Sequence, residues 1–306
     1  KSDITIAAIP GIAGLHPTIE MIKMSKKILI ANKESIICGW NLIKKTAYQN
    51  KTKIVPIDSE HFSTMKLLEN QNINTVKKIY LTASGGPFLK HKISILKNVK
   101  PSEALKHPKW KMGKKISIDS ASLMNKMLEL IEAQKLFQID LKNIEIVIHP
   151  ESLVHAIVEL KNGLFKFLYH ETTMLIPLSN AIFDEKINIK DFVTQTYRKN
   201  EKIFFKNLTF LNVDKKRFPL IQLKSKLNEH ISTPIIINAI NEVLVDQYLK
   251  KSIPFTSFYG LILKVLSDRN YIKYAIKIPQ SIDQIYLIDQ WARKTTFEKI
   301  KKIKHA

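Results

Sequence analysis

Asn125, Lys126 and Glu129 are the side chains whose types and spacing point most directly to chemistry. Asn125 and Glu129 lie four residues apart and share one face of a helix, with Lys126 beside them. The stretch that carries them reads as a short β-run over Lys115–Ile118, a turn at Asp119-Ser120 and a helix to Phe137. Asp119 or Ser120 is a natural N-cap, so free N–H groups, the positive end of the dipole and a hydroxyl meet at one point. A hydroxyl, an amide, an ammonium and a carboxylate at one helix start suit a phosphorylated substrate beside a metal ion. The same residues, taken alone, also describe a capped helix with a solvated face.

Other short motifs carry complementary groups. Asp58 and Glu60 close an apolar strand; two residues apart in an extended segment, their carboxylates face one way. Two oxygen ligands with open positions suit Mg²⁺ or Mn²⁺ rather than zinc. Acids at a helix start that complement its dipole are the simpler alternative. Ser84-Gly85-Gly86 follows the strand Lys78–Ser84, where paired glycines let a ligand approach the backbone and Ser84 can donate to phosphate. The loop His107–Gly113 reads equally as a surface loop with a partly buried Trp110 and as a lid that closes over a site and excludes water. His149 and His155 frame a strand and read as structural.

The elements that must position these groups alternate. Residues 4–58 read β-α-β-α-β, with strands Ile4–Ile9, Ile28–Asn32 and Ile54–Asp58, which predicts a parallel sheet. Gly-x-Gly-x-x-Gly is absent, and the first residues already read as the interior of such a sheet, so the chain is expected to start partway through one. Ile144–His149, Ser152–Leu160 and Leu164–Tyr169 predict an antiparallel sheet covered on one face. From Pro219 the pattern is helical. The fold class is therefore α/β: the C-terminal part of a Rossmann-type parallel-sheet domain (1–58), an α+β catalytic domain with a lid (59–190), a linker (191–216) and a helical bundle (217–306).

The 306 residues, 45% hydrophobic, suffice for a large core. Cys38 is the single cysteine, which excludes an internal disulfide and fits a reducing compartment. No apolar run reaches membrane-spanning length. The net charge of +22 is nearly all lysine spread along the chain, without an Arg-rich arm, which argues against nucleic acid as the main partner.

Taken together, Gly11–Thr18 (GIAGLHPT), Ala31–Ser35 (ANKES), Pro56–His61 (PIDSEH), Thr82–Phe88 (TASGGPF), His107–Gly113 (HPKWKMG) and Ile116–Glu129 (ISIDSASLMNKMLE) resemble the 1-deoxy-D-xylulose 5-phosphate reductoisomerases. His149–His155 and Asn238–Glu242 continue the similarity. The resemblance implies NADPH-dependent, metal-dependent conversion of that substrate to 2-C-methyl-D-erythritol 4-phosphate, in a cytoplasmic homodimer (or in a plastid-like organelle of a eukaryote). It implies that Asp58, Glu60 and Glu129 bind Mn²⁺ or Mg²⁺, with Co²⁺ as a further option. Ser84, Ser120, Asn125 and Lys126 would hold the phosphate with His107 beside them, Ser59 would contact substrate near the metal, and Lys33 would reach into the site. Catalysis is assigned to Lys33, Asp58, Glu60, His107 and Glu129. Gly11, Asn32, Glu34, Met112, Gly113 and Met174 are the cofactor-side residues, with Trp110 and Met112 on the lid.

The chain departs from the family pattern in three places. The glycine-rich fingerprint is absent, Met127 replaces a glycine and is expected to crowd Glu129, and Thr172-Thr173-Met174-Leu175 replaces Pro-Asp-Met-Arg. Two alternatives stand beside this reading: another NADP-dependent dehydrogenase, which would not need the metal set, and a degenerate chain that binds phosphorylated ligand without turnover.

Overall fold

Ile28, Leu29 and Ile30 are fully buried, and a strand covered on both faces needs such a continuous apolar run. In the computed structural model, which describes residues 1–110, 112–184, 186–188 and 207–304, they form the middle strand of a three-stranded parallel sheet. Its order is β1 (Ser2–Ala7), β2 (Ser25–Ile30), β3 (Lys53–Pro56). The connections are helices α1 (Leu15–Lys23) and α2 (Lys33–Asn50). Asn32 starts α2 by accepting from Ser35 N at 2.5 Å, an N-cap that leaves Lys33 in the first turn.

After β3 the chain enters α3 (Ser59–Leu68) and then β4 (Val76–Ala83), the first strand of a second sheet. With β5 (Ile144–Ile148), β6 (Val154–Leu160) and β7 (Phe165–Tyr169) it has the order β5-β4-β6-β7. The expected antiparallel sheet is mixed: β4 and β5 run parallel because a helical crossover joins them, while β4–β6 and β6–β7 are antiparallel. That crossover holds α4 (Pro101–Ala104), α5 (Lys114–Ser122) and α6 (Met124–Phe137).

Lys115–Ile118 is therefore helix rather than strand, and the cap expected at Asp119 or Ser120 is not there. Asp119 is buried and its carboxylate is occupied, accepting from Lys115 Nζ and Asn241 Nδ2 at 2.8 Å each. The break falls at Leu123, whose φ of +60° is the left-handed region that a bulky side chain rarely occupies. The sequence stretch is helical on both sides of one strained residue.

Helix α7 (Leu175–Phe183) follows the second sheet. A 3-10 run at Pro219–Lys226 then leads to α8 (Thr233–Leu249), α9 (Phe258–Leu266), α10 (Tyr271–Ala275) and α11 (Ile282–Lys304). Ile236, Ile240 and Leu244 of α8 are fully buried in a core that runs on through Ile36, Leu81, Leu130 and Ile288. Met127, expected to crowd Glu129, is fully buried in that core. Of the expected linker, residues 191–206 lie outside the described residues. No helix among the described residues is long and apolar enough to cross a membrane.

Candidate active site

Three helix starts converge on one cavity of about 280 Å³. The first turn of α2 supplies Lys33, the start of α3 supplies Asp58, Ser59 and Glu60, and α6 supplies Asn125, Lys126 and Glu129. Asp58 and Glu60 do not sit on an extended strand. Asp58 is the N-cap of α3, accepting from Glu60 N at 3.4 Å, so its side chain folds back over the first turn towards Glu60. One carboxylate oxygen from each of Asp58, Glu60 and Glu129 lies within 4.8 Å of the others.

Two ammonium groups hold this acidic set. Lys33 Nζ stands 2.7 Å from Asp58 Oδ2, 3.0 Å from Glu129 Oε1 and 2.9 Å from Asn125 Oδ1. Lys126 Nζ is 2.5 Å from both Glu60 Oε1 and Glu129 Oε2. Burial opposes charge on Asp58, yet Lys33 and His61 hold its pKa well below the ordinary carboxylate value. Burial and the neighbouring Glu129 instead push Glu60 up to about 8. Burial disfavours charge on Lys33 too, but Asp58 and Glu129 raise its pKa well above the usual. With Glu60 pushed up to about 8, the set holds at neutral pH a proton that a dication would displace, and the all-oxygen donor set matches Mg²⁺ or Mn²⁺.

The serine side of the cavity is built by close backbone packing. Ser84 ends β4, and its Oγ accepts from Gly86 N at 3.1 Å. Gly86 has φ +63°, and a Cβ there would stand 3.0 Å from Ala121 Cα and Ser120 O. That approach brings the Ser84 turn against the end of α5, so Ser84 and Ser120 line the same cavity as Asn125 and Lys126. Gly86→Ala is expected to cost roughly 1–3 kcal/mol, from strained φ and overpacking together, in urea unfolding. A cost below about 0.5 kcal/mol, the usual scatter of surface substitutions, would contradict this account.

His107 also lines the cavity, and its Nε2 stands 3.0 Å from Ser84 Oγ. Its Nδ1 accepts from Trp110 N at 2.9 Å, so the proton sits on Nε2 and points to Ser84. Burial and Lys126 lower its pKa from 6.5 to about 4. Between those values the unfolded chain binds a proton that the folded protein does not, so stability falls as pH drops through that window. His107→Gln removes this contribution, and thermal melts between pH 7 and 4 are expected to show a shallower decline for the variant.

Trp110, Met112 and Met174 border the cavity as well. Gly11, Asn32, Glu34 and Gly113 do not. Asn32 caps α2 and donates to Gly11 O at 2.9 Å; Glu34 pairs with Lys115 at 2.7 Å; Gly113 caps α5. Sequence reasoning missed His155, treated as structural together with His149. His149 is structural, accepting from Leu153 N at 3.1 Å. His155 lines the cavity, and its buried Nε2 has no hydrogen-bond partner among the described residues. Alternation along β6 puts His155 on an inward face, but nothing in that pattern separates a cavity from a core.

A parallel α/β unit joined to a mixed sheet, with three carboxylates and the serines Ser84 and Ser120 around one cavity, defines an α/β enzyme class with an acidic, all-oxygen centre. Models of the 1-deoxy-D-xylulose 5-phosphate reductoisomerase match residues 1–39, those of its C-terminal domain match 54–137, and those of the DXP reductoisomerase C-terminal domain match 171–295. The chain is 44% identical over 295 residues to the 1-deoxy-D-xylulose 5-phosphate reductoisomerase of Pelagibacter ubique, covering 95% of this chain and 74% of that relative. A crystal structure of DOX-P reductoisomerase in complex with NADPH, fosmidomycin and magnesium superposes with a TM-score of 0.88 at 34% identity, over 99% of this chain and 76% of that one. The enzyme from Zymomonas mobilis in complex with NADPH gives 0.83 at 32% identity, over 97% and 75%. The chain belongs to the 1-deoxy-D-xylulose 5-phosphate reductoisomerase family of NADPH-dependent oxidoreductases.

Proposed function

We propose that the protein isomerises and reduces 1-deoxy-D-xylulose 5-phosphate to 2-C-methyl-D-erythritol 4-phosphate. One observation carries the reading: the carboxylates of Asp58, Glu60 and Glu129 meet in the same cavity as Ser84, Ser120, Asn125 and Lys126. A phosphorylated ketose held by the second group presents its oxygens to the first. The relatives solved with NADPH and with magnesium support those two cofactors. When bound, the cation would polarise the substrate carbonyl and NADPH would supply hydride.

The chain's own residues do the rest. Asp58, Glu60 and Glu129 hold the cation and Ser59 faces the substrate beside it. Ser84, Ser120 and Asn125 grip the phosphate, and His107 donates from Nε2. Lys126 is shared: it pairs with Glu60 and Glu129, and it would be available to the phosphate where a cation neutralised those carboxylates. Holding the phosphate remote from the reacting carbons supplies orientation. Trp110 and Met112 exclude water, and Met174 borders the nicotinamide. Gly11, Asn32, Glu34 and Gly113 act from behind by shaping the cofactor side. The domain division at 58, 190 and 217 belongs to the same reading, as does a cytoplasmic setting supported by the single buried thiol of Cys38.

The partner is a second copy. Edge strand β7 exposes Phe165 and Phe167, next to exposed Leu164, and such an apolar edge needs cover. Metal-dependent NADPH oxidation with the substrate, using the full-length natural protein, tests the activity, and light scattering tests the dimer. A folded protein that binds NADPH but does not turn over favours the binder without turnover.

A further inference from the structure

Two buried side chains touch the metal-ligand set without belonging to it. His61, in the first turn of α3, is wholly buried, and Glu132 of α6 is 1% exposed. His61 Nε2 lies 3.0 Å from the backbone carbonyl oxygen of Glu129. A carbonyl only accepts, so Nε2 donates. Nδ1 faces two carboxylates, Glu132 Oε2 at 3.2 Å and Asp58 Oδ1 at 3.6 Å. Neither Nδ1 nor Glu132 Oε2 has a hydrogen-bond partner elsewhere among the described residues. The ring stacks beside Phe137 with centroids 6.3 Å apart, which fixes its plane.

We propose that His61 and Glu132 are positioning residues that set the spacing between the metal ligands of α3 and α6. Asp58 and Glu129 sit on different helices, and the imidazole is a rigid strut between them. One prong holds the α6 backbone at Glu129, the ligand residue itself. The other faces Asp58 Oδ1, the oxygen that also caps α3, and so helps leave Oδ2, 2.7 Å from Lys33, to the acidic set. Glu132 lies three residues after Glu129 on the same helix, so it keeps the ring in place from the far side. Outer partners of this kind orient metal ligands, and losing one costs about 10–100-fold in metal affinity. The inference rests on Asp58, Glu60 and Glu129 being the metal ligands.

The test is direct Mn²⁺ binding to the full-length protein, followed by the electron paramagnetic resonance signal of the free ion, with no turnover needed. His61→Gln keeps a donor for the Glu129 carbonyl and loses the ring nitrogen that faces Asp58 and Glu132. Its Mn²⁺ Kd is expected to rise about 10–100-fold, with the metal concentration for half-maximal rate rising in parallel and the saturated kcat changing less. His61→Asn places an amide nitrogen near the Nδ1 position and is expected to recover part of that loss, which a purely structural role would not predict. Glu132→Gln, which keeps the shape, is expected to raise Kd about tenfold, at the lower end of such effects, and it decides the matter if His61 variants do not fold. Folded variants that bind Mn²⁺ within about threefold of the parent overturn the proposal. Glu129→Gln is run alongside: if it too leaves Mn²⁺ binding unchanged, the ligand assignment has failed rather than the strut alone.

Discussion

Glu129→Gln is expected to lower metal-dependent kcat/KM by about a thousandfold or more while the protein stays folded. The carboxylate contacts both ammonium groups, with Lys33 on one oxygen and Lys126 on the other. Gln keeps the volume and one acceptor oxygen, so the packing survives, although the amide nitrogen that replaces the other oxygen cannot accept from the second lysine. What changes is charge: one of the three carboxylates that would ligate a dication becomes a neutral amide. Lewis-acid stabilisation of this kind is worth several kcal/mol, and each 1.4 kcal/mol or so is a factor of ten. The assay is NADPH oxidation against Mg²⁺ and Mn²⁺ concentration, with circular dichroism confirming the fold. Near-parental turnover with an unaltered metal requirement would remove Glu129 from the site.

The parts of this site that lie close in sequence were legible, and the parts made by packing were not. Asn125 and Glu129 at helical spacing pointed to one face, and both line the cavity. Of the two readings the Asp58–Glu60 pair allows, a strand end and a helix start, the helix start is the one that forms, with Asp58 as cap and Glu60 in the first turn. At Lys115–Ile118 the alternation of Lys, Ile, Ser and Ile imitated a strand. Tertiary contacts of Asp119 with Asn241, 122 residues away, took the side chain that would have capped the next helix. A left-handed Leu123 has no local signature at all, since nothing about leucine favours that φ. Lys33 could be placed in the site only by family resemblance, because its partners Asp58 and Glu129 arrive from two other helices. His61 and Glu132 went unremarked for the same reason.

Lys33→Met is expected to be the most destabilising change in the site, costing about 3–5 kcal/mol in a chelator-treated protein. Methionine fills the space of the lysine stem, so packing is nearly kept. The charge is not replaced: Asp58 and Glu129 lose the ammonium 2.7 and 3.0 Å away and remain buried. A buried ion pair adds little over an apolar pair, but removing one member leaves an uncompensated charge. Two further behaviours separate this cause from lost packing. Saturating Mg²⁺ is expected to restore part of the loss, about 2.7 kcal/mol at a hundredfold excess over Kd, because a dication does the neutralising that Lys33 did. Acid is expected to narrow the gap as well. With a folded pKa well below its ordinary 3.8, Asp58 contributes stability that is present above the unfolded value and lost as pH falls through the folded one. The variant lacks that contribution, so the two proteins converge as Asp58 becomes protonated. Urea unfolding with and without Mg²⁺, at neutral and acid pH, reads all three effects. A variant that loses less than about 1 kcal/mol, within the range of an ordinary substitution, and responds to Mg²⁺ no more than the parent would show that Lys33 is not the counter-charge of the acidic set.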